Sequence, residues 1–244
     1  MLIFSGSMRL TTLGTIDFEG PEEASALLAQ PKLLTLFAFL VLARRGGFQR
    51  RERLAGLFWP EQSEDRARAS LRSALRSLRT MLGEEALLKR GDSDVGVNPA
   101  LLSCDAFEFE DAIARGEYAL ALELYRGPLL EGMFPEGVAL QHWLYEQREQ
   151  YRATAADAAW TLAERYESEA GDLTSAARWA RRAARLAGTD ERRVRRVMSL
   201  LARAGDVAGA AAVYKDFARF IRQELDIDPS RETVELDAAI RAVR

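Results

Sequence analysis

The 244-residue sequence has one cysteine and one histidine. A lone Cys104 forbids an internal disulfide, which suits a reducing compartment, and reads as a small buried hydrophobe. A lone His142, without a cysteine cluster or a base-paired nucleophile, makes neither a metal centre nor a triad and reads as a structural or surface residue. Long apolar runs are scarce too. The longest, LLTLFAFLVLA at 33–43, falls short of the roughly 20 residues a bilayer-spanning helix needs. The opening MLIFSGSMRL places only Leu2, Ile3 and Phe4 behind Met1 before polar residues intervene, so it does not read as a signal peptide. Met8, which opens the better strand MRLTTLG, competes with Met1 as the natural start. No G-x-x-x-x-G-K-[ST] phosphate loop occurs. Glu108, Glu110 and Asp111 read as one polar helix face, not as a general acid–base pair. Together these absences predict a cytoplasmic chain without membrane contact, bound metal, cofactor or enzymatic activity.

What is present is unevenly spread. The net charge is −3. Yet between residues 44 and 79 ten Lys and Arg stand against four Asp and Glu, while residues 101–244 carry 20 against 25. A short basic stretch sits inside a mildly acidic chain, which whole-chain charge conceals.

The N-terminal part mixes element types. Leu10, Leu13, Ile16 and Phe18 alternate over residues 8–19, and EGPEE follows as turn chemistry, which predicts short antiparallel strands. Pro31 opens an almost wholly apolar segment to residue 44, a buried central helix stopped by Gly46 and Gly47. RRERLAGLF at 50–58 predicts a second, short helix ended by Pro60. Ser63 as N-cap with Glu64 and Asp65 in the first turn predicts a third, running to Leu82 and stopped by Gly83. ALLKRGDSDVGVNP at 86–99 predicts a hairpin. Strands, three helices and a hairpin describe a winged helix-turn-helix, an α+β unit over residues 8–99.

From Cys104 to residue 244 the pattern is helical and rich in alanine. AGDLTSAARWA (170–180) and AGDVAGAAAVY (204–214) align at a spacing of 34, pairing Gly171 with Gly205, Asp172 with Asp206 and Ala176 with Ala210. That period predicts tetratricopeptide-like helical hairpins, with the small residues admitting close helix approach and Gly-Asp marking the turn. ARGEYALALELY (114–125) is a weaker upstream copy. Trp143, Trp160 and Trp179 read as large core residues of this second, all-α domain.

The third helix, 63–82, contains RARASLRSALRSLR, with five arginines and no acid over residues 66–79. At 100° per residue, Leu71, Leu75, Leu78 and Leu82 form one inward stripe. Arg68, Arg72, Arg76 and Arg79 flank it. Arg66, Ala69, Ser70, Ser73, Ser77 and Thr80 lie opposite. Small side chains let a helix sit deep in a major groove about 12 Å wide, hydroxyls meet base edges, and flanking arginines meet phosphates. Arg66, near the helix start, is the candidate for a bidentate guanine contact. Lys89 and Arg90 at the hairpin are candidates for phosphate or minor groove. Arg44, Arg45, Arg50, Arg51 and Arg53 add to the same basic neighbourhood. An arginine-rich flank that only solvates the surface is the competing reading of these residues.

The stretch LLTLFAFLVLARRGGFQRRERLAGLFWPEQSEDRARASLRSALRSLRTMLG resembles the DNA-binding half of the SARP-type transcriptional activators, the antibiotic regulatory proteins. Leu57, Phe58, Trp59 and Pro60 followed by ARASLRSALRSLR carry most of the likeness. YRGPLLEGM (125–133) and ELDIDPSRETVELDAAI (224–240) resemble the bacterial transcriptional activator domain that follows in that family, with Asp226 where the family usually has glycine. The resemblance implies a response-regulator-type winged helix that binds double-stranded promoter DNA at direct repeats, as a homodimer on DNA, and recruits RNA polymerase. By alignment it places Ser70, Ser73, Ala74 and Ser77 toward the groove and Arg79 toward phosphate. The alternative function is a helical-repeat adaptor without its own DNA specificity.

Overall fold

A computed structural model describes residues 8–43, 45–168, 171–187 and 190–242. Arg44 and the alternative start at Met1 lie outside them. The chain forms two compact units. One comprises the chain up to Asp111 with Leu124–Glu149, and the other Ala112–Glu123 with the chain from Gln150 onward.

The first unit opens with strands β1 (Met8–Thr11) and β2 (Asp17–Glu19), which pair antiparallel with Leu10 opposite Phe18. Helix α1 (Pro31–Leu42) starts with proline at its first turn, where the missing N–H costs nothing. It is buried continuously from Leu34 to Leu42. Its phenylalanines organise the surroundings: Phe37 meets Phe18 edge-on, and Phe39 meets both Phe58 and Trp143. Trp143, partly buried, therefore packs within this unit and not among the helical repeats expected for it.

Two residues, Gln49–Arg50, form β3 and lead into α2 (Arg51–Phe58) and α3 (Glu64–Leu82). Strands β4 (Leu87–Arg90) and β5 (Asp94–Val97) then form the hairpin, with Leu87 opposite Val97. Gly91 takes a left-handed φ of 62° at its tip. β3 pairs with β5, giving the sheet order β3-β5-β4. Gly96 is needed there, because a Cβ would stand 2.6 Å from the Gly47 carbonyl oxygen. Strand β6 (Leu102–Cys104) returns to the first sheet and pairs parallel with β1, giving β2-β1-β6. The strands, three helices and hairpin are those of a winged helix-turn-helix, with β3 and β6 as additions that the sequence pattern did not reveal.

Helix α4 (Asp105–Ala114) begins directly after β6. The buried Asp105 carboxylate accepts from the Thr12 and Leu13 amides and the Thr12 hydroxyl at 2.7–2.9 Å, tying β6 to the end of β1. Further along α4, Glu108 receives a two-pronged bond from Arg9 and Asp111 one from Arg45. These carboxylates act as ties within the unit.

The second unit takes α5 (Tyr118–Leu124), the later part of α6 (Val138–Ser168), α7 (Leu173–Ala187), α8 (Glu191–Arg203), α9 (Val207–Leu225) and α10 (Arg231–Ala242). The 34-residue repeat appears as geometry. Gly171 and Gly205 both have left-handed φ, at 62° and 79°. Asp172 and Asp206 each accept the backbone N–H three residues on, from Ser175 and Gly209. Ala176 and Ala210 are wholly buried where helices approach closely. Val197, Met198, Leu201 and Ile221 fill the core, with Trp160, Tyr166 and Trp179 packed against it.

Candidate nucleic-acid interface

Helix α3 separates its faces cleanly. Ala67, Leu71, Leu75, Leu78 and Leu82 are buried, and Gly83 closes the helix with a φ of 97°. Burying four leucines supplies roughly 1.5–3 kcal/mol each relative to exposure, which fixes the rotation of the helix about its axis. The opposite side is thereby committed to solvent. Ser63 sits at the N-cap, but its hydroxyl makes no capping bond. The negative Glu64 and Asp65 are left to offset the partial positive charge of the exposed amides.

The outward side carries Arg66, Ala69, Arg72, Ser73, Arg76 and Thr80, all exposed. Arg66, Arg72 and Arg76 have no carboxylate within 4.0 Å among the described residues, so their charge is uncompensated. Arg68 differs, lying 3.5 Å from Glu52 and 3.4 Å from Glu64. Ser70 is half-buried and donates to Gln62 Oε1 at 2.8 Å, and Ser77 is half-buried.

Two expected contacts change place. Ala74 is only 7% exposed and packs with the leucines, because position 74 falls at the edge of their stripe. It does not face a groove. The Arg79 side chain is 13% exposed and lies 3.9 Å from Glu84, with Nη2 buried and unbonded. Its position beside the stripe draws its long stem inward, leaving little of the guanidinium for phosphate.

The hairpin is similarly divided. Lys89 is exposed. Arg90 donates to Asp94 from Nε and Nη2 at 3.0 and 2.7 Å and stacks 4.7 Å over the Phe48 ring. These bonds hold the Asp94 carboxyl below the usual carboxylate range. Arg90 also joins Arg50 and Arg53 around a concavity of about 420 Å³ floored by Phe48 and Asp94. Arg51 is half-buried, with Nε buried and without an acceptor. Sequence reasoning missed Phe48 and Asp94 as the partners that position Arg90. The only trace was the acid four residues after Arg90, across the hairpin tip.

No helix of the described residues is long and apolar enough to cross a membrane. No curated protein matches the sequence. A solved structure, Mycobacterium tuberculosis EmbR in complex with a low affinity phosphopeptide, shares the fold at a TM-score of 0.58 and 18% identity. The likeness covers 96% of this chain and 65% of that one, so this chain spans somewhat less than two thirds of the EmbR length. The bacterial transcriptional activator domain matches residues 104–241, more than half of the sequence. That family comprises transcriptional regulators, not enzymes. With a winged helix-turn-helix preceding that domain, the chain belongs to the bacterial transcriptional activator domain family, in the arrangement of the SARP-type regulators.

Proposed function

We propose that this protein is a sequence-specific DNA-binding transcriptional activator that seats α3 in the major groove of promoter direct repeats. The observation that carries the reading is the outer face of α3, where Arg66, Arg72 and Arg76 stand uncompensated beside the exposed Ser73. Small side chains along that face allow close approach, and free guanidinium groups supply phosphate binding. Arg66 reads a base, while Arg72 and Arg76 hold the backbone. Lys89 and the Arg50–Arg53–Arg90 cluster add phosphate contacts from the wing side. In keeping with the SARP resemblance, two copies occupy adjacent repeats as a homodimer on DNA and recruit RNA polymerase.

Genome-wide mapping of bound sites supplies the duplex. On that duplex Arg66→Ala should cost about 1–3 kcal/mol and flatten the preference at one base position. Arg72→Ala should weaken specific and scrambled duplexes alike. Equal behaviour of both variants and the parent on both duplexes would remove α3 from the interface and leave the adaptor function.

A further inference from the structure

The helical unit contains a second concavity, built from different chemistry. Helices α7, α8 and α9 line a groove of about 430 Å³, within the size range of small-molecule sites. Its place follows from the repeat. α7 and α9 are the helices that open after the two Gly-Asp turns, and α8 lies between them in sequence. Successive opening helices of stacked hairpins share one face, and repeat proteins bind ligands on such faces.

The walls are mainly apolar. Val194 comes from α8, and Val213, Phe217 and Phe220 come from successive turns of α9. Phe220 is 41% exposed, a large ring left uncovered at the groove. Small side chains keep the space open, including Ala212, which is itself exposed on the α9 wall. A Cβ at Gly209 would press on the Arg181 guanidinium and the Asp206 carboxylate, so a side chain there would displace that ion pair.

The polar groups are unequal. Arg181 is bound to Asp206. Asp216, on the α9 wall, pairs with Arg219 at 3.4 Å. Arg185, one turn beyond Arg181 on α7, is exposed and has no hydrogen-bond or ion-pair partner among the described residues. The groove thus offers apolar walls beside one uncompensated cation.

We infer that the α7–α9 groove binds a small amphipathic carboxylate, its hydrocarbon or aromatic body against Val213, Phe217 and Phe220 and its anionic head on Arg185. An occupant of one negative charge answers the single free guanidinium. A neutral apolar molecule leaves that charge unmatched, and a cation is repelled by it. The inference rests on the helical unit alone and is independent of duplex binding.

The test uses the full chain with the aromatic anion 8-anilinonaphthalene-1-sulfonate as probe, displaced by decanoate or by decanol. Dye fluorescence should saturate, and decanoate should displace it at about tenfold lower concentration than decanol. Arg185→Gln, a surface change, should weaken decanoate about tenfold and leave decanol unchanged. Ala212→Phe should fill the groove and abolish displaceable dye binding, with thermal melting followed by circular dichroism as the check on folding. Absent dye binding, equal potency of acid and alcohol, or an Arg185→Gln variant indistinguishable from the parent would each overturn the inference. So would dye retention in a folded Ala212→Phe variant. Dye release on raising protein concentration, with a dimer in sedimentation, would also overturn it by making a second copy the occupant.

Discussion

Burial pushes the Cys104 thiol up to about 12, against about 8.5 for an exposed thiol. Between those values the unfolded chain has released a proton that the folded chain keeps. The stabilising contribution is complete below the window and is lost as pH rises through it, at up to about 1.4 kcal/mol per pH unit. Urea midpoints measured at pH 8 and pH 10.5 should therefore fall more steeply for the parent than for Cys104→Ala. Native Cys104 should resist iodoacetamide until the chain unfolds. Asp226 poses a backbone question instead. It ends α9 in the left-handed region, with φ 53° and ψ 38°, where glycine pays no steric penalty. Asp226→Gly should raise stability by about 0.5–1 kcal/mol in chemical denaturation, and Asp226→Val should lower it. The glycine usual in the family at this position has the same conformational reason.

At the scale of elements, the repeated Gly-Asp turn makes a paired prediction. Asp172→Ala and Asp206→Ala each remove a carboxylate that accepts the amide of the third residue on, so each should cost about 1 kcal/mol in urea unfolding. Asp206→Ala should cost somewhat more, since it also releases Arg181. Much of this level was legible in the sequence. The leucine period set the rotation of α3, Pro31 marked the start of α1, and the 34-residue spacing located the matching turns of the helical unit. Other features depend on contacts far apart in sequence. β6 is three residues long and owes its place to pairing with β1, so no local periodicity marks it. β3 is two residues and exists only against β5. Ala74 and Arg79 lie at the margins of the leucine stripe, where an idealised wheel does not decide between solvent and core. Trp143 has the same character: its place against Phe39 arises because residues 124–149 pack with the first unit, which a linear reading of helical segments does not reveal.

At the scale of the whole molecule, electrostatics decides how the chain meets a polyanion. The total charge of −3 disfavours nonspecific attraction to DNA, whereas the cationic face of α3 permits it locally. Affinity should consequently depend on a few named arginines and be steeply sensitive to salt. The most direct measurement is the affinity of the chain for the duplex identified by binding-site mapping, by fluorescence anisotropy across a potassium chloride series. The logarithm of the association constant should fall linearly with the logarithm of salt concentration, by about 0.9 per phosphate contact. The double variant Arg72→Ala, Arg76→Ala should flatten that slope by about two while melting like the parent. A folded double variant with the parent's slope and affinity, or a parent chain that binds no duplex at low salt, would contradict the account.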